Sequence, residues 1–165
     1  GFQLWVNMPA KYKMNKPEYI YIDAKEMQIH KDDDKKVKVI AGKFGEAEGP
    51  VKGHNIEPVY FDIEIEKGKE FIFNIPSTHN SLIYLIEGEV RVGEQIHDPV
   101  KDSTLIILTR GKKLKVSGLT KAKFLLISGK PIGEPIARGG PFVMNTKEEI
   151  LKAVQDYHNG TFVAS

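Results

Sequence analysis

Apolar and polar residues alternate along most of this chain. From Val59 to Ile65 the order VYFDIEI puts Val59, Phe61, Ile63 and Ile65 on one side and Tyr60, Asp62 and Glu64 on the other, the period of two that marks a half-buried β-strand. The same pattern predicts strands over Val37 to Ala41, Glu70 to Ile75, Ser81 to Ile86, Val90 to Gly93, Thr104 to Leu108, Lys113 to Val116 and Lys123 to Ser128. Turn pairs punctuate them: Lys67-Gly68, Glu87-Gly88, Gly93-Glu94, Arg110-Gly111 and Ser117-Gly118. Residues 2 to 7, FQLWVN, read as a further strand closed by Pro9, which cannot donate to a ladder. Tyr19 to Ile22 reads as a short extended segment, and the glycine-rich stretch from Gly42 to Pro50 as a loop. So many short strands at this spacing specify an antiparallel sandwich or barrel.

The tail has another period. Thr146-Lys147-Glu148-Glu149 is a capping box, and Ile150, Leu151, Val154 and Tyr157 follow at helical spacing until Asn159-Gly160. One amphipathic C-terminal helix is expected, with His158 placed against its dipole. The boundaries expected are 1–36 for an N-terminal strand and connector, 37–139 for the β-domain, and 140–165 for the C-terminal segment and helix.

The 165 residues suffice for one compact domain with a real core, and 41% hydrophobic with 28% charged residues leaves disorder only to short segments. The absence of cysteine removes disulfides, thiolate metal sites and cysteine nucleophiles, so any metal would need the five histidines and nearby acids. No apolar run approaches the ~20 residues that span a bilayer, and no secretory signal opens the chain, so a cytoplasmic protein without membrane contact is expected. A net charge of +2 does not indicate direct nucleic-acid binding. Lysines cluster at 35–38 and in Arg110, Lys112, Lys113 and Lys115. Solvated strand faces explain such residues, and a surface for an acidic partner is the competing reading.

The stretch THNSLIYLIEGEVRVG, residues 78–93, poses the chemical question. Gly68 with the hairpin around Gly88 resembles the first motif of the cupin superfamily: Gly, five residues, His-x-His, three or four residues, Glu, six residues, Gly. Alternate residues of a strand share a face, so His-x-His aims both rings at one point. Counted from Gly68, the ligand positions hold Asn74, Pro76 and Ser81, and the second motif, approximated around Arg110-Gly111, puts Leu114 where its histidine belongs. None of these can serve as a competent ligand set. His79 lies outside that register. If the strand runs straight, however, His79 and Ser81 share a face, which makes His79, Ser81 and Asn74 candidates for a polar ligand pocket.

Three further segments sharpen the resemblance: GFQLWVN at 1–7, SGKPIGEP at 128–135, and GPFVMNT at 140–146 with the EEI of 148–150. Together they are similar to the pirin family over essentially the whole chain. The resemblance implies an all-β fold, a cupin-type antiparallel β-barrel (double-stranded β-helix or jelly roll) with one C-terminal α-helix, corresponding to the C-terminal half of a two-cupin protein. It also implies that the family's single iron-type metal, held by three His and one Glu, belongs to the N-terminal cupin, so no cofactor is expected in this chain.

His54, His30 and His97 lie in loops or charged turns and read as solvated; Glu64 and Glu66 share a strand face that solvent explains. Trp5, Phe142, Val143 and Met144 are expected to form an apolar surface that needs a partner, either the N-terminal cupin half or, most simply, a second copy in a homodimer. Two functions follow from the resemblance. One is a non-enzymatic regulatory module that binds another protein through this surface or through the basic cluster. The other is part of a quercetin 2,3-dioxygenase whose metal lies in a missing N-terminal cupin.

Overall fold

A computed structural model of the chain describes residues 1–53, 56–94 and 98–163. The chain divides into two compact units, Ile22–Pro131 and a second made of Gly1–Tyr21 together with Ile132–Ser165. The first unit therefore starts earlier and ends sooner than the 37–139 span read from the sequence.

In Ile22–Pro131 the strands are β1 (Gln28–Lys31), β2 (Lys35–Ala41), the short pair β3 (Lys43–Phe44) and β4 (Ala47–Glu48), β5 (Val59–Ile65), β6 (Glu70–Asn74), β7 (Asn80–Glu87), β8 (Glu89–Val92), β9 (Val100–Lys101), β10 (Thr104–Ile107), β11 (Lys113–Gly118) and β12 (Ala122–Gly129). Six form one sheet in the order β1-β2-β5-β12-β7-β10, and four form a second in the order β6-β11-β8-β9. Neighbouring strands pair antiparallel throughout both sheets. The sheets share one core without being hydrogen-bonded to each other into a closed barrel.

That core is the alternation made physical. In β5 every odd-numbered side chain is buried, and Phe61 and Ile63 have no exposed surface. Phe71 of β6 stacks on Phe44 with centroids 5.5 Å apart and meets Phe124 of β12 edge-on at 5.8 Å, geometries that aromatic quadrupoles favour. The outer faces carry ion pairs: Lys36 with Glu64 at 3.6 Å, Lys121 with Glu66 at 2.7 Å, and Lys123 with Asp62 at 3.9 Å. Glu64 and Glu66 thus face outward and are matched by lysines.

The second unit holds β13 (Ala137–Gly139), β14 (Phe142–Met144) and α1 (Lys147–His158). Its helix is as read from the sequence. Thr146 Oγ1 accepts from the Glu149 amide at 3.1 Å while Glu149 accepts from the Thr146 amide at 2.9 Å, and Gly160 sits at φ 71° past the helix end. Residues 2–7 correct an expectation, since they form no strand. Alternation alone does not make a strand, because a ladder partner must supply the hydrogen bonds. Among the described residues no helix is long and apolar enough to cross a membrane.

Candidate functional site

Beside β7, β10 and β11 the first unit forms a half-open cleft of about 360 Å³, whose wall is mainly aliphatic, with Ile75, Val92, Val100, Ile106, Leu108 and Leu114, and also carries Asp98 and Lys115. His79 and Ser81 add polar groups to the wall, and exposed Thr109 and Lys113 stand on its rim.

The polar end is built by register. A turn precedes β7, in which the His79 amide donates to the Pro76 carbonyl at 3.0 Å. From there His79, Ser81, Ile83 and Leu85 occupy one face, as the straight-strand expectation required. β12 lies beside β7 with Ser128 directly opposite Ser81, so the Ser81 hydroxyl donates to Ser128 Oγ at 2.8 Å. Ser128 Oγ lies 3.2 Å from His79 Nδ1. The ring is buried, only 4% exposed, and Ser128 is 3% exposed. His79 Nε2 has no hydrogen-bond partner among the described residues; Glu57 Oε2 lies 3.7 Å from it. Glu57 holds this place from a left-handed backbone, φ 47°, a conformation that non-glycine residues adopt at some cost.

Asn74 does not join this group. In β6 the inward positions are Phe71 and Phe73, with Ile75 continuing the face, whereas Asn74 is exposed and pairs across the ladder with Lys113. Counting residues from Gly68 set the register one position off, and a one-residue slip exchanges the two faces of a strand. Pro76 is also exposed. A cupin-type metal therefore does not fit: an outward amide, a proline ring, a hydroxyl and the Leu114 isobutyl group, itself only 5% exposed within the core, offer no converging ligands. Among the described residues no three His, Asp or Glu side chains are grouped to hold an ion.

The remaining candidates separate. Lys113 pairs with Glu94 at 3.5 Å and Lys115 with Glu70 at 2.8 Å. The Lys115 contact raises its ammonium pKa and lowers that of the Glu70 carboxyl. Arg110 and Lys112 are exposed. Trp5 is 70% exposed, but Met144 is buried at 8%, and Phe142 is half-buried against Phe162 with centroids 5.0 Å apart. The expected apolar surface thus loses Met144, because β14 packs on α1 and turns that side chain inward. His30 is partly exposed and lies 3.3 Å from Asp32, and His158 ends α1. His54 and His97 lie outside the described residues.

Comparison with known proteins now decides the family. Residues 60–163 match the model of the pirin C-terminal cupin domain. The chain belongs to the pirin family. A pirin-like protein of Caulobacter vibrioides is 38% identical over 98% of this chain, which spans 58% of that protein, and one of Solanum lycopersicum is 34% identical over 97%, spanning 55%. The crystal structure of a quercetin 2,3-dioxygenase from Acinetobacter baumannii superposes with a TM-score of 0.87 at 33% identity, covering 96% of this chain and 55% of that one. This pirin chain thus spans a little over half the length of the relatives it matches. Its cupin fold agrees with the architecture expected from the sequence. The Ser128 limb of the polar group was missed by sequence reading; its one signal is the hydroxyl that closes the apolar run FLLIS.

Proposed function

We propose that this chain is a metal-free pirin cupin that acts in the cytoplasm as a protein-interaction and regulatory module rather than as an enzyme. The observation that carries this reading is the chemistry at the four cupin ligand positions, where Asn74, Pro76, Ser81 and Leu114 supply no ligand set. The surface offered to a partner lies in the second unit, where Phe2, Leu4, Trp5, Val6, Tyr19, Ile20 and Tyr21 are all exposed. This many exposed large apolar side chains in two short segments of one unit support an interaction site there. Its natural cover is a second cupin half, of the kind the longer relatives have room for. In isolation the chain would bury it in a homodimer.

The likeness to the Acinetobacter enzyme favours a second reading, in which this chain is the non-metal half of a quercetin 2,3-dioxygenase and an N-terminal cupin supplies the metal and the reaction. Metal analysis of the purified chain, with the loss of quercetin absorbance as the activity assay, tests the first reading. Neither metal nor turnover is expected. Stoichiometric metal or turnover by the chain alone would overturn it. Turnover by a metal-bearing pirin N-terminal cupin that depends on adding this chain would establish the second.

A further inference from the structure

We propose that the cleft beside β7 is a metal-independent binding site for a small molecule about one ring in size that carries a hydroxyl group, recognised by Ser81. This goes beyond the interaction reading and does not depend on it.

The size follows from the volume, about 360 Å³, which lies at the lower end of the range of small-ligand sites. The preference for an apolar body follows from the mainly aliphatic wall. The preference for a hydroxyl follows from the order of hydrogen bonds at the polar end. Glu57 is acceptor-only when ionised and stands 3.7 Å from His79 Nε2. That favours the tautomer with its proton on Nε2, which leaves Nδ1 to accept. Ser128 then donates to Nδ1, and its oxygen accepts from Ser81. The Ser81 proton is thereby spent, and the group Ser81 turns to the cleft is a lone pair. An incoming donor completes the chain; an acceptor finds no proton on Ser81, and the lysines that reach the cleft are already paired with Glu94 and Glu70. Burial of His79 and Ser128 makes the order costly to disturb, since a polar atom left unpaired away from water is destabilising. A hydroxyl on an apolar ring satisfies both the wall and the lone pair, whereas a bare hydrocarbon satisfies only the wall.

The intact chain, isotopically labelled, is titrated with p-cresol and separately with toluene, which has the same shape without the hydroxyl, and followed by amide and histidine-ring NMR. Saturable p-cresol shifts confined to the residues that line the cleft and to Ser128 are expected, with toluene binding more weakly. The ring nitrogens of His79 should report the Nε2–H tautomer before any ligand is added. Ser81→Ala should weaken p-cresol about fivefold, the worth of one neutral hydrogen bond, and leave toluene unchanged. Absence of saturable shifts up to millimolar p-cresol would overturn the site. Equal affinity for the two compounds in the unsubstituted protein would overturn the hydroxyl preference, as would an Nδ1–H tautomer. The last two readouts require no variant, so they hold whether or not Ser81→Ala folds.

Discussion

Gly88 and the carbonyl of Lys121 are held so close that a side chain on Gly88 could not fit: an added Cβ would stand 2.3 Å from that oxygen and 2.9 Å from Ala122 Cα. The residue also sits at φ 91°, a left-handed value that permits the tight reversal from β7 into β8. Gly88→Ala should therefore destabilise the first unit by about 2 kcal/mol or more. Urea unfolding would show it as a lower midpoint with an unchanged slope. A midpoint within error of the parent would mean that this hairpin yields more readily than so close an approach implies.

Leu114 tests the claim that the cupin ligand positions cannot be refilled singly. Leu114→His restores the residue the second cupin motif calls for, but the neighbouring inward positions are Phe73 and Ile75. The expected result is no gain in affinity for divalent metal by titration and a loss of about 1–3 kcal/mol in stability from an unpaired imidazole in the core. Tight stoichiometric binding by the single variant would contradict the pairing register of β6 with β11.

The capping box at Thr146 should be worth about 1 kcal/mol. Thr146→Ala leaves the Glu149 amide without its side-chain acceptor, so helical ellipticity should melt at lower temperature while the first unit is unaffected. Thr146→Ser should restore most of the difference, because the hydroxyl is what accepts.

Asp32 gives the pH dependence a sign. Loss of hydration works to raise its pKa. The amides of Asp34 and Lys35, then the Lys35 ammonium and the His30 ring, outweigh that and hold the carboxyl well below the usual aspartate range. A folded pKa below the unfolded one means a contribution that is complete above the unfolded value, about 3.9, and lost as pH falls through the folded one. Asp32→Asn should thus lower the melting temperature most near neutrality, with the gap from the parent narrowing steadily below about pH 4. A gap that widens on acidification would reverse the assignment.

How much of the fold and site is legible in the residues depends on which forces wrote it into the chain. β2, β5 to β8 and β10 to β12 were readable because one face of each is more buried than the other, and burial writes a period of two into the residues; β9, β13 and β14, two or three residues long, are too short to show a period; α1 was readable because its cap is local. β1 was invisible, since three of its four side chains are exposed and the fourth is only half-buried, leaving no alternation to read. FQLWVN misled for the converse reason: it alternates but has no ladder. At the cleft, His79 and Ser81 could be placed on one face from spacing alone. Ser128 could not, because its role arises from a pairing with residues 47 and 49 positions away. The Asn74 register failed by a single step, which is all that is needed to turn a wall residue outward.

The outward lysines have a last consequence. Those at 36, 113, 115, 121 and 123 each already have a carboxylate for company, at 2.7 to 3.9 Å. To a heparin column or any long polyanion the lysines of both sheets should look nearly neutral, releasing at modest ionic strength. Whatever recognises the protein there has to read its contours instead of its charge.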